Sequence, residues 1–112
     1  MSFVPRLKAG IFVRALIRRA EVAGAFAAVV KKGSEEAGAV FLKIAKADRT
    51  STVLSQARRG DGELVWMKVL GDAASDADAN AYFEKQMRFD PDIWIVEIED
   101  REGRAFVDEA IV

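Results

Sequence analysis

The chain has 112 residues, enough for one domain built around one hydrophobic core. Apolar residues make up 51% and charged residues 31%, which excludes the disordered class, and a net charge of −1 leaves no bulk field to draw the chain to nucleic acid or to a membrane. The sequence contains no Cys and no His, so disulfides, thiolate nucleophiles, zinc–sulfur sites and histidine acid–base chemistry are all excluded.

The first element runs from about Ala9 to Ala23. At ~100° per residue its charged side chains Arg14, Arg18 and Glu21 share a narrow stripe, and most of the remaining circumference is apolar. Such a helix is expected to be covered on most sides, by a sheet and by a second subunit, with Gly24 as the left-handed residue that ends it. The apolar run Ala9 to Val13 is cut by Arg14 and cannot serve as a signal-peptide core. The Arg-rich amphipathic start has the pattern of a transit segment, but serine is scarce there and the segment reads as core. No stretch approaches the ~18 apolar residues of a membrane span. The expectation is a cytoplasmic protein with no membrane partner.

Strands follow in close succession. Phe26 to Lys32 and Ala39 to Lys46 are separated by Gly33-Ser34-Glu35-Glu36-Ala37-Gly38, a hairpin-like connection with glycine at both ends. Thr50 to Gln56 and Glu63 to Leu70 are the next two, joined through the polar loop Arg58-Arg59-Gly60-Asp61-Gly62. Connections this short hold no crossover helix, which predicts a mainly antiparallel sheet. A second helix opens near Ser75, where Ser75 and Asp78 form a capping-box-like pair and Asp76 and Asp78 suit the positive end of the helix dipole. Ala79, Tyr82, Phe83, Gln86 and Met87 supply its inward stripe, and Asp90-Pro91 stops it. Ile93 to Glu99 is the strongest strand pattern of the chain, and Asp100-Arg101-Glu102-Gly103 turns it into a last short strand around Arg104 to Val107. The order α-β-β-β-β-α-β-β predicts a single α+β domain over residues 1–112, a two-layer sandwich of two helices on a mainly antiparallel sheet of about five to six strands.

Charge is unevenly spread along this order. Residues 1–32 hold seven basic side chains and one acid, residues 33–60 five and three, and residues 61–112 five and fourteen. Basic N-terminal and acidic C-terminal elements are therefore expected to lie near each other, or else to form two poles that favour association between copies.

Several residues invite a functional reading. Arg19 lies ~140° round the helix from Arg14, inside the arc expected to be buried, so it needs a carboxylate or an anionic ligand. Its plainer reading is an ion pair with a C-terminal acid, or snorkelling at the helix end. On the strand Ile93 to Glu99, Trp94 shares one face with Val96 and Ile98, while Glu97 and Glu99 share the other, with Asp90 and Asp92 just ahead. Clustered carboxylates can hold Mg²⁺ or Mn²⁺ or divide acid and base roles. Pro91-Asp92 followed by Glu97 has the order of the acidic half of a restriction-nuclease-type metal site, but Glu99 stands where that pattern has lysine. Solvated carboxylates facing the Arg-rich helix are the plainer reading.

Other motifs fail on inspection. Asp76-Ala77-Asp78-Ala79-Asn80 has the spacing that opens a calcium loop, but Ala81 and Met87 occupy the positions that require glycine and glutamate. No glycine cluster has the spacing of a phosphate loop, and no serine has the context of an activated nucleophile. Arg6, Lys8, Arg14, Arg18, Lys31 and Lys32 could form a basic patch for nucleic acid, though no aromatic residues interleave with them in an RNA-reading pattern.

Six stretches together carry a family resemblance: Arg6-Leu7, Ala15-Leu16-Ile17-Arg18-Arg19-Ala20, Ala23-Gly24-Ala25-Phe26, Ala37-Gly38-Ala39-Val40, Phe89-Asp90-Pro91-Asp92, and Trp94-Ile95-Val96-Glu97-Ile98-Glu99-Asp100-Arg101. The chain resembles the bacterial family of domain of unknown function 1491 over nearly its whole length, most specifically in the C-terminal stretch and least from Arg49 to Asp72. The resemblance implies a free-standing bacterial cytoplasmic domain and supplies no activity, cofactor or site. The leading expectation is a non-enzymatic interaction or binding module, a homodimer or the partner of another protein, with no cofactor and no resident metal. Arg14, Arg18, Arg19, Asp90, Asp92, Trp94, Glu97 and Glu99 are its candidate ligand or interface residues. The alternatives are a divalent-metal enzyme using the carboxylates near 90–99 and a weak nucleic-acid binder using the basic N-terminal half.

Overall fold

Five strands form one mixed sheet in the order β1-β5-β2-β3-β4 in a computed structural model that describes residues 7–112. The elements are α1 (Ala9–Val22), β1 (Phe26–Lys31), β2 (Val40–Ala45), β3 (Ser51–Arg58), β4 (Leu64–Lys68), α2 (Asp76–Phe89) and β5 (Trp94–Glu99). β5 lies at the centre, antiparallel to β1 and parallel to β2, and the β2–β3 and β3–β4 pairs are antiparallel. The α+β class read from the sequence, two helices on one sheet, is the one the chain adopts.

The layering follows from the alternation of side chains along β5. Trp94, Val96 and Ile98 point to one face and join Val13, Leu16 and Ala20 of α1 in one core. Ile93 and Ile95 point to the other and join Ala79 and Phe83 of α2 with Phe41 and Val53. One helix therefore covers each face, and the layers number three where the sequence suggested two. The strand patterns explain why. β2 and β5 are apolar on both faces, the signature of strands buried on both sides.

Both helices form where local chemistry places them. The Ser75 side chain accepts from the Asp78 amide at 3.1 Å and opens α2. α1 has no side-chain cap, and instead its first amides at Ala9 and Gly10 donate to the Glu36 and Glu35 carbonyls at 3.3 and 2.9 Å. It ends in a Schellman arrangement: the Gly24 amide donates to the Glu21 carbonyl at 3.0 Å and the Ala25 amide to the Ala20 carbonyl at 2.9 Å, with Gly24 at φ +89.

Two expectations are corrected. Gly33 to Gly38 does not close a hairpin, because β5 lies between the two strands it connects. The loop wraps the start of β5 instead: the Ser34 amide donates to the Asp92 carbonyl at 2.9 Å, the Trp94 amide to the Ala39 carbonyl at 2.8 Å, and the Trp94 indole to the Ser34 carbonyl at 2.7 Å. A Cβ at either glycine would run into the Asp92 carbonyl, so both glycines serve close approach rather than a turn. The last strand around Arg104 to Val107 does not form, because β1 and β2 already occupy both edges of β5. The chain turns away at Asp100, packs Ala105 into the α1-side core, and reaches β4 through a bridge between Ile111 and Trp66.

Candidate functional site

β5 decides where the sequence-derived carboxylates go. Asp90 and Asp92 form the turn ahead of it, exposed, with the Asp92 amide donating to the Asp90 carboxylate at 2.9 Å. Glu97 and Glu99 lie towards the other end, on the α2 side of the sheet. A strand rises ~3.3 Å per residue, so Asp92 and Glu97 stand ~16 Å apart and the four acids form two separate pairs. Among the described residues no group of three or more acidic side chains is placed to hold a metal ion. Trp94 is buried in the core beneath α1, with its indole bonded to the Ser34 carbonyl.

Glu97 does find a partner, and it is one the sequence reading passed over. Lys43 of β2 lies 3.4 Å from Glu97 and 3.1 Å from Asp76 in the first turn of α2, with only 13% of its side chain exposed. Burial pushes this ammonium's pKa down, but the hydrogen bond to Asp76 and the charge of Glu97 more than offset it and hold the pKa above the usual lysine value. The signal was available: Lys43 is the one charged residue in the apolar run Val40–Ala45, and a cation set among Leu42 and Ile44 needs an acid beside it.

The arginines of α1 are all exposed, Arg19 included. Only the inward stripe Ala9, Val13, Leu16 and Ala20 is buried along the helix, together with Gly10, so the covered arc is narrower than the sequence suggested. Arg19 lies 3.7 Å from Asp108, the C-terminal ion pair of its plainer reading. Arg14 bonds the Glu35 carboxylate at 3.0 and 3.4 Å, and this guanidinium holds the Glu35 pKa below the usual glutamate value, helped by Lys32 and Lys8. Arg18 makes no ion pair among the described residues. Of the other basic-patch residues, Lys8 and Lys32 lie 3.8 and 3.9 Å from Glu36 and Glu35, and Lys31 donates to the backbone carbonyls of Lys32, Pro91 and Ile93. Arg6 lies outside the described residues.

The two outer strands of the sheet differ. The β4 edge is covered by the chain's own C-terminal segment: the Trp66 amide donates to the Ala110 carbonyl at 2.9 Å and the Val112 amide returns to the Trp66 carbonyl at 2.8 Å. The β1 edge has no such cover among the described residues, and it is apolar. Phe26 and Val30 are each 60% exposed, Val29 is exposed beside them, and Val22 at the end of α1 is 80% exposed. Sequence signal for this edge existed in Phe26-Ala27-Ala28-Val29-Val30, which lacks the polar alternation of a strand with one wet face.

These features define a small α+β domain with a doubly covered central strand, one sheet edge closed by its own tail and the other without cover among the described residues. The family profile for "Protein of unknown function (DUF1491)" matches residues 7–108, and the chain belongs to that family. It is similar to a DUF1491 family protein from Caulobacter crescentus CB15 known from a crystal structure, at 48% identity and a TM-score of 0.89, covering 96% of this chain and 100% of that one. An NMR structure of a DUF1491 family protein from the same organism gives 48% identity and a TM-score of 0.86, covering 97% of this chain and 99% of the other. The solution structure of protein Atu0922 from A. tumefaciens gives 35% and 0.81, covering 94% and 95%. No match is found among curated proteins.

Proposed function

We propose that the protein is a non-enzymatic interaction module of the bacterial cytoplasm that works as a homodimer, two copies joined edge to edge along β1. The single observation that carries this reading is the difference between the two sheet edges: β4 is closed by the tail, and β1 presents Phe26, Val29 and Val30 to solvent. An uncovered apolar edge is a template for another strand, and proteins that stay monomeric cover or charge such edges. A second copy fits it without further invention. Antiparallel pairing of β1 with β1 is two-fold symmetric, so each copy offers the other the same surface and the two sheets become one. Lys31, Lys32 and the irregular register between Val29 and Lys31 blunt one end of the strand, which confines the pairing to its first part. The outward stripe of α1, with Ile11, Ala15, Arg18 and Val22 at spacings of four, three and four residues, is the second exposed surface available to a partner.

The test uses a substitution at a position that faces solvent, where the fold itself tolerates charge. Val30→Lys is expected to give a monomer by light scattering after gel filtration, with thermal stability of the isolated domain little changed. A wild-type and a Val30→Lys chain of the same mass in solution would refute the β1 pairing.

A further inference from the structure

The α2 side of the sheet holds a cavity of about 590 Å³, and side-chain size explains it. α2 starts at Asp76 and packs over Phe41, Val53 and Ile95, towards one end of the strands. At the other end the row across four strands reads Phe26, Glu99, Ala45 and Ser51. Ala45 and Ser51 are small, so a hollow remains between the Phe26 ring and the first turn of α2. The hollow is a shallow groove largely open to solvent, and its volume is that of a small molecule.

Charges of both signs face this hollow without being neutralised locally. Lys43 is shared by Asp76 and Glu97, which leaves one net negative charge in that trio. Glu99 is exposed and has no ion-pair partner among the described residues. Asp100 also lines the cavity, but both of its oxygens are bonded to Arg104 at 2.9 Å, so it is not available. On the rim, Arg49 and Arg101 are exposed and make no ion pair among the described residues. Ser51 is 1% exposed, and its backbone exchanges hydrogen bonds with Ala74.

We propose that this cavity binds a small dipolar organic molecule, one that carries an ammonium and an anionic group about an apolar body, the class of a free amino acid. The ammonium sits against Glu99 with Glu97 behind it, the anionic group turns to Arg49 and Arg101, and the apolar body lies on Phe26. A molecule with only one of the two charges forgoes one of the two sets of charge-assisted contacts. The hollow shares Phe26 with the β1 edge, and the residues substituted to test it, Glu99 and Arg49, lie outside that edge.

The probe is L-phenylalanine at millimolar concentration, with phenylacetate and phenethylamine as controls that each lack one charge. The readout is the amide NMR spectrum of the full chain. L-Phenylalanine is expected to shift the amides of Phe26, Thr50, Ser51 and Glu99, and each control to bind about tenfold more weakly, as loss of a charge-assisted contact requires. Glu99→Gln removes the advantage of L-phenylalanine over phenylacetate, and Arg49→Asn removes its advantage over phenethylamine; Asn suits the left-handed backbone at position 49, φ 70. Absence of shifts at these amides, equal binding of probe and controls, or indifference to both substitutions would overturn the proposal.

Discussion

Two ionised side chains show how single residues in this fold are held, and both make testable pH statements. Asp100 is buried and accepts three hydrogen bonds from Arg104, one from its backbone amide and two from its guanidinium, so its pKa drops from the ordinary 3.8 to about 2. A carboxyl with a depressed folded pKa contributes stability above its unfolded value and loses it as the pH falls towards the folded one. The stability difference between wild type and Asp100→Asn is therefore expected to stay constant from neutral pH to about 4 and to shrink between about 4 and about 2, read by urea unfolding. A difference that does not change over that range would mean that the Arg104 contacts do not act on the ionised carboxylate. Lys43 is the mirror case. Its pKa is raised, so the stability it supplies is present below the ordinary lysine value of 10.5 and is lost as the pH rises through the folded one. Because Asp76 is largely solvated, the energy involved is modest, and Lys43→Met is expected to cost about 1 kcal/mol at neutral pH. The same substitution removes the part of the alkaline loss of stability that Lys43 causes. An Lys43→Met chain with the stability of wild type at both pH values would count against the trio.

At the scale of elements, the loop from Gly33 to Gly38 is what lets β5 enter between β1 and β2. Gly38→Ala forces a Cβ against the Asp92 carbonyl and the Trp94 indole and is expected to cost about 2 kcal/mol, as overpacking does. Gly60→Ala meets open space and is expected to stay within about 0.5 kcal/mol of wild type, which separates crowding from a general glycine effect. Equal urea midpoints for the two variants would show that the loop yields. This loop also marks the boundary of what the sequence could say. The seven elements were legible from local pattern, because capping at Ser75, the stop at Asp90-Pro91 and the apolar runs all act over a few residues. The order of strands was not, because nothing local tells a glycine that shapes a turn from one that makes room for a strand sixty residues away. The phantom strand near Arg104 fails for the same reason: its residues suit a strand, but β5 has no edge left to offer it. Among the candidate site residues, the burial of Trp94 and the exposure of Asp90 and Asp92 follow from strand alternation and the turn. The partner of Glu97 depended on β2 lying parallel beside β5, which brings Lys43 level with it.

At the scale of the molecule, the uneven charge of the sequence is partly resolved inside the fold. Arg19 of the basic N-terminal segment meets Asp108 of the acidic C-terminal one, and Lys43 of the middle segment meets Asp76 and Glu97. Arg14, Lys8 and Lys32 turn instead to Glu35 and Glu36 in their own half. The proposed self-association draws instead on apolar surface, which at β1 coincides with backbone groups that have no strand partner among the described residues. Sedimentation equilibrium of the full chain at physiological salt tests this most directly. The expected result is a reversible self-association that reaches twice the chain mass of 12.3 kDa and stops there, as closed two-fold pairing demands. A mass of 12.3 kDa at every concentration, or a series of species growing past the dimer, would contradict it.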